Sequence, residues 1–261
     1  MSLSEKALLL KEDFDAVHEA GKQAEYDAFW GVITKNWTRT DYRNGFQHWD
    51  CQYIRPPKKI IPTSNQGINY LFSGNKSLLK VEKEYFDFSQ KVNVSQTASY
   101  AGHSRTFDGC ISLIEIEDLG MQPAYYDGTF YDCLKLEKIE IIRSQEDTLY
   151  NDMAFGYCSK LKDLVIEGTI GTNFNIKWSP LSVASLKSII KHLKDYAGTD
   201  KEFTYTVTFK SSAFAELEKA GFDSDDSNWG ISTFGIDLEF TEGVTWTNII
   251  SYLGWSLSLQ S

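Results

Sequence analysis

A chain of 261 residues, 42% hydrophobic and 24% charged, has the composition of an ordinary globular protein and is long enough for one large or two small domains. A formal net charge of -10 argues against a nucleic-acid partner or an anionic membrane, since phosphate binding needs a basic face. No apolar run approaches the length of a membrane span. The four cysteines lack the paired spacing of a disulfide framework.

Residues 1–35 read as an amphipathic N-terminal helix. Leu3, Ala7, Leu10, Phe14, Val17, Gly21, Ala24 and Ala28 alternate at steps of four and three, the spacing of a coiled-coil seam. Leu3, Leu10, Phe14, Val17 and Ala24 are therefore candidate docking residues, either between copies in a homo-oligomer or against the body of the same chain. A signal peptide would be basic and then apolar, whereas this segment is amphipathic and acidic, so export is not expected. From 36 to 69 the period lapses, and Trp37, Tyr42, Phe46, Trp49 and Tyr53 appear among polar residues. That segment reads as an N-terminal cap sealing the first unit of a repeat array.

The array occupies 70–170. Aligning Phe107, Phe130 and Phe155 also aligns Cys110, Cys133 and Cys158, then Leu113, Leu136 and Leu161, then Ile116, Ile139 and Leu164. The units start 23 and 25 residues apart, within the range of leucine-rich repeats. One unit cannot bury its own apolar stripe, so stacking must place Phe on Phe, Cys on Cys and Leu on Leu. The steps of three suit a helical or 3₁₀ turn, and I-E-I-E and I-E-I-I suit a short strand. A fainter copy at Phe72, Asn75, Leu78 and Val81 lies 35 residues before Phe107, so one long or irregular coil is expected to fit between them.

Written out, the motif is TFDGCISLIEI, TFYDCLKLEKI and AFGYCSKLKDL. It resembles the leucine-rich repeats of the bacterial surface protein BspA and its treponemal relatives, over about 100 residues counting the faint copy. The resemblance implies an α/β solenoid, and fold alone says little about function.

Beyond 170 the repeat stops, and 171–261 reads as a C-terminal α/β cap. Ser182 is a candidate N-cap for a helix whose apolar face is Val183, Leu186, Ile189, Ile190, Leu193 and Ala197, ended by Gly198. Phe203, Tyr205, Val207 and Phe209 alternate with threonines as a half-buried strand. A helix over 212–220 closes at Gly221, a second strand pattern runs Phe234, Ile236, Leu238 and Phe240, and a last helix begins near Trp246 and leads to GWSLSL.

The two flanks carry a second resemblance. DFDAVHEAGKQAEYDAFW followed by TRTDYRNGF, and SPLSVASLKSIIKHLKDYAG running on to GWSLSL, are similar to regions of structural proteins encoded by tailed phages of Gram-positive gut bacteria. Residues 221–244 depart from that pattern by an extra strand-like segment. The resemblance implies a virion component of a tail fibre, baseplate or head fibre, synthesised in the host cytoplasm and attached to other virion proteins through the N-terminal helix. Its repeat module would bind a host cell-surface protein or glycan. The alternative is a BspA-like bacterial adhesin or protein-protein interaction module.

No arrangement for catalysis emerges, and neither a cofactor nor a metal is expected. Cys110, Cys133 and Cys158 are expected inside the stack as small hydrophobes. His48 and Cys51 have zinc-like spacing without a second pair. Asp223, Asp225, Asp226 and Asn228 lack the glycine and glutamate of a calcium loop. Glu115, Glu117 and Glu140 alternate along strands, which makes them an exposed acidic face rather than a glycosidase pair. His18, His103 and His192 have no visible partner for nucleophilic catalysis, and no phosphate-binding glycine loop is present. Tyr125, Tyr126, Tyr131 and Tyr150, with Tyr157 near them, are the candidate binding surface, unless they fill space between units.

Overall fold

A computed structural model describes residues 44–62, 68–89, 105–122, 125–150, 153–199, 204–221 and 245–261. The expected N-terminal helix, with Leu3, Leu10, Phe14, Val17 and Ala24, lies outside the described residues, as do the strand pattern over 234–240 and the acidic loop at 223–228. The described chain is mixed α/β with parallel sheets. Its sheet strands are β1 (Lys80–Val81), β2 (Glu115–Ile116), β3 (Tyr125–Tyr126), β4 (Lys138–Ser144), β5 (Leu149–Tyr150), β6 (Asp163–Gly168), β7 (Phe174–Asn175), β8 (Thr206–Lys210) and β9 (Ser256–Gln260). The described helices are α1 (Val183–Lys191), α2 (Ser211–Ala220) and α3 (Trp246–Tyr252).

Three all-parallel sheets result, ordered β1-β2-β4-β6, β3-β5 and β7-β8-β9. In the first, Val81 pairs with Ile116, Ile116 with Ile139 and Ile139 with Leu164, so the aligned apolar positions are neighbours in register. Strand alternation turns these side chains into one continuous core and their polar neighbours outward.

The phenylalanines follow the same order. Ring centroids are 5.6 Å apart for Phe46 and Phe72, 5.3 Å for Phe72 and Phe107, 5.6 Å for Phe107 and Phe130, and 5.3 Å for Phe130 and Phe155, all stacked nearly parallel. Each backbone repeats one bond: Phe46 N donates to Leu71 O, Phe72 N to Thr106 O, Phe107 N to Thr129 O and Phe130 N to Ala154 O, at 2.8–2.9 Å. The Phe72 and Phe107 units therefore touch directly. No coil fits between them, and the extra length of this step falls in the segment from 82 to 104. The ladder also begins earlier than expected, because the described part of the segment 36–69, read as an N-terminal cap, supplies its first member at Phe46.

The turn, expected to be helical or 3₁₀, carries the three-residue hydrogen-bond step of the latter, as two linked β-turns rather than a continuous helix. Cys110 N donates to Phe107 O and Leu113 N to Cys110 O, at 3.1 and 3.0 Å, and Phe130 and Phe155 start the same pattern. A left-handed residue two places after each phenylalanine interrupts any helix: His48, Gly74, Gly109, Asp132 and Tyr157 all have φ between 57° and 72°. Each thiol is an integral part of this turn. Cys110, Cys133 and Cys158 donate through Sγ to the carbonyls of Phe72, Phe107 and Phe130, each at 3.1 Å, one unit back.

The far end is closed by α1. Ser182 caps it, its Oγ accepting from Ser185 N at 3.3 Å. Ser185 and Ser188, one turn apart, accept from Leu164 N and Ile166 N at 2.9 and 3.0 Å. Two serine hydroxyls thus satisfy the edge strand β6 where a further strand would otherwise be needed. The helix ends at His192 rather than at Gly198, because Leu193 leaves it to bridge Ile170 in parallel. Two more helices behave as read: Gly221 closes α2 at φ 63°, and Thr245 caps α3. The strand in GWSLSL was not foreseen; it pairs with β8 from Ser256 to Gln260. Glu218 of α2 accepts from Trp246 N and Thr247 N at 3.1 and 2.8 Å, tying α3 to α2.

Candidate functional site

The repeated motif holds its chemistry inside. Phe107, Cys110, Leu113, Phe130, Cys133, Leu136, Phe155, Cys158 and Leu161 are all buried. Burial pushes the thiols of Cys110, Cys133 and Cys158 well above their ordinary range, so the thiolate needed for nucleophilic attack is suppressed. Cys51 is buried too, and desolvation raises its pKa to about 12 against the opposing bond from Asn75. Asn75 stands where other units have cysteine because its side chain faces Cys51, with Oδ1 accepting from Cys51 N at 3.4 Å. Among the described residues no group of three or more His, Cys, Asp or Glu could hold a metal ion, and no helix is long and apolar enough to cross a membrane.

Glu115, Glu117 and Glu140 do not form the exposed acidic face that alternation suggested. Lys80 Nζ sits between Glu115 and Glu117 at 3.1 and 2.7 Å, and Lys138 Nζ reaches Glu115 from the other side at 3.0 Å. Glu117 accepts from Lys83 N at 2.9 Å and Glu140 from Asp118 N at 2.8 Å. Arg143 completes the lattice, donating to Asp118 at 2.9 Å and approaching Glu167 at 3.1 Å. The Lys138 ammonium holds the Glu115 carboxyl below its ordinary value, and the Arg143 guanidinium does the same for Asp118. Opposite charges meet across consecutive units, so this face is a structural ion-pair lattice.

The four candidate tyrosines separate. Tyr126 and Tyr150 are buried, their rings stacked at 4.9 Å with Phe174 edge-on beyond at 4.7 Å. They form a second interior row along β3, β5 and β7, and burial pushes both phenols well up. These two fill space and cannot bind a partner. Tyr125 and Tyr131 are partly exposed.

Tyr131 belongs to a row that the sequence showed only in part. Its ring meets Tyr157 edge-on at 5.4 Å, and Tyr157 lies 4.7 Å from Trp178. Tyr157 and Trp178 are 41% and 37% exposed. A Cβ on Gly156 would come within 2.7 Å of the Tyr131 ring, so the glycine makes room for it. Trp178 was missed because its unit is disguised. Ile176 replaces phenylalanine and Ser179 replaces cysteine, yet Ser179 N still donates to Ile176 O at 3.1 Å. Aligning I-K-W-S with F-x-x-C would have exposed it.

Beside the row, Arg105 donates to Asp108 at 3.1 Å, while burial still holds the Asp108 carboxyl above its ordinary value. Lys177 lies 5.7 Å from the Trp178 ring. His192, read on the polar face of its helix, has Nδ1 2.7 Å from Ser188 O and serves the helix end. Comparison with family models, curated proteins and solved structures returned no match.

Proposed function

We propose that this chain is a short leucine-rich-repeat solenoid of the BspA-like kind, carried as a structural protein on the virion of a tailed phage. In this reading the N-terminal helix attaches it to other virion proteins, in a homo-oligomer, and the repeat module serves host attachment or assembly. The observation that carries the solenoid reading is the register in which the aligned phenylalanines of successive units stack and the aligned Ile116, Ile139 and Leu164 pair side by side. The virion assignment rests on the resemblance of the two flanking segments. Action by binding rather than catalysis is supported by two features: the thiols are held protonated by burial, and the strand carboxylates are engaged by lysine and arginine. The repeat motif itself also favours a second reading, a BspA-like bacterial adhesin or interaction protein.

Mass spectrometry of purified particles from a phage that encodes this chain decides between them. Stoichiometric presence in the particle is expected, and absence overturns the virion reading. Light scattering on the full chain and on residues 36–261 tests the role of the first 35 residues. A change from oligomer to monomer is expected on their removal, and a monomer in both forms rejects that role.

A further inference from the structure

We propose that Tyr131, Tyr157 and Trp178 form a binding platform for a neutral saccharide. The proposal deepens the binding role above but rests on geometry alone, and it stands whether or not the chain is carried on a virion.

Three observations carry it. The first is strain. Tyr157 has φ 60°, a left-handed conformation that suits glycine and costs a bulky residue on the order of 1–2 kcal/mol. The same turn position holds Gly74 and Gly109 in two earlier units and the smaller polar side chains of His48 and Asp132 in two others, so the unstrained solution is available to this backbone. Tyr157 nonetheless occupies it, and 41% of the residue faces solvent rather than core. The second is order. The rings are braced against one another at 5.4 and 4.7 Å, so they present aromatic surface with little freedom to lose on binding.

The third is the polar surround, which selects the ligand. Asp108 and Asp132 lie close enough to Tyr131 to act on its phenol electrostatically. Asp132 offers a carboxylate that accepts hydrogen bonds from hydroxyl groups, Asp108 is paired with Arg105, and Lys177 adds donors at the Trp178 end, so the rim offers both acceptors and donors with its charges balanced. A pyranose offers C–H bonds to an aromatic face and hydroxyls to its rim, which matches aromatic rings edged by carboxylates. The area argues against a protein partner. A whole aromatic side chain offers ~150–250 Å². With about two-fifths of Tyr157 and Trp178 exposed, the row presents far less than the ~800 Å² per partner of a stable protein interface.

The test uses the full chain and isothermal titration with cellohexaose, maltohexaose, laminarihexaose and chitohexaose, with a heparin hexasaccharide as the anionic control. At least one neutral probe is expected to bind at micromolar to millimolar concentration, and the heparin probe about tenfold more weakly or not at all. Tyr157→Gly keeps the left-handed turn that glycine already adopts elsewhere in the ladder, and it should retain a cooperative melt while losing affinity at least about tenfold. Trp178→Ala should weaken binding likewise. No binding of any neutral probe at millimolar concentration overturns the proposal, as does unchanged affinity in a folded Tyr157→Gly. Sedimentation of the wild type and Tyr157→Gly provides a further check: self-association lost with the ring would make a second copy the occupant and overturn the saccharide. Particle mass spectrometry reads the virion assignment separately, so either idea can fail alone.

Discussion

One turn in this protein builds two columns of side chains with opposite fates. The phenylalanine column, from Phe46 to Phe155, is buried, with its rings stacked nearly parallel. Two residues further along each turn, a second column runs His48, Gly74, Gly109, Asp132, Tyr157 and Trp178, changing chemistry at almost every step. The difference follows from what each must satisfy. An interior position must fill the space left by the same position in its neighbours, so one side chain repeats. From His48 to Tyr157 the outer position must only tolerate a left-handed backbone, and its side chain is free to vary with the surface it makes.

The largest effect expected from breaking the comparison lies in the inner column. Phe130 is fully buried between Phe107 and Phe155, so Phe130→Ala should cost ~3–5 kcal/mol through lost burial and a cavity. Urea denaturation measures it, and a cost below ~1 kcal/mol would mean that the stack is not what holds the units together. The cysteines beside it offer a chemical readout of the same core. A thiol reagent should label none of Cys51, Cys110, Cys133 and Cys158 in the folded protein and all four in urea.

Gly74→Ala comes next. At φ 70° a new Cβ would stand 2.1 Å from His48 Nδ1, combining backbone strain with a clash in the outer column. A loss of ~1–3 kcal/mol is expected, and pairing it with His48→Gly should recover the clash but not the strain. Full recovery in a double-mutant cycle would show that the left-handed backbone itself costs nothing there.

The ion-pair lattice should show a pH signature of smaller size. Arg143 holds the folded-state pKa of Asp118 below the ordinary 3.8, and Lys138 holds that of Glu115 below 4.5. A depressed folded pKa stabilises the fold above the unfolded value, and that stability is lost as pH falls through the folded one. Melting temperature should therefore drop as pH falls from about 5 into the range below these values. Asp118→Asn, already without that charge, should show a shallower acid slope.

How much could be read beforehand follows from the same contrast. The inner column was legible wherever Phe, Cys and Leu recur, because identical packing selects identical residues. It was lost where other groups do the same work: Trp49 and Cys51 in the Phe46 unit, Ile176 and Ser179 in the last. The step from Phe72 to Phe107 misled by length, since an insertion and a missing coil look alike in one dimension. The glutamates on β2 and β4 looked like an acidic face because their lysine partners stand a whole unit away, beyond any local pattern. The cap helix was legible through Ser182, but its end was set by a tertiary bridge from Leu193 to Ile170. Tyr126 and Tyr150 show the converse, an interior row of residues that looked like a surface because tyrosine suits both.

The smallest effect has the opposite sign and separates the columns most cleanly. Asp132 holds φ 57° in the outer column, at a position glycine fills in two earlier units. Its backbone N donates to Gly156 O at 2.9 Å, a bond that no side-chain change removes. Asp132→Gly should relieve the left-handed strain while adding freedom to the unfolded chain, two effects of about 1 kcal/mol that oppose each other. The net change in stability should stay within about 1 kcal/mol of zero, although the residue sits only two places from Phe130 in the same turn. Saccharide affinity at the neighbouring Tyr131 should fall, since the carboxylate is gone. A stability loss as large as that of Phe130→Ala would mean that the outer column is structural after all, and that Tyr157 keeps its strained turn for packing rather than for a ligand.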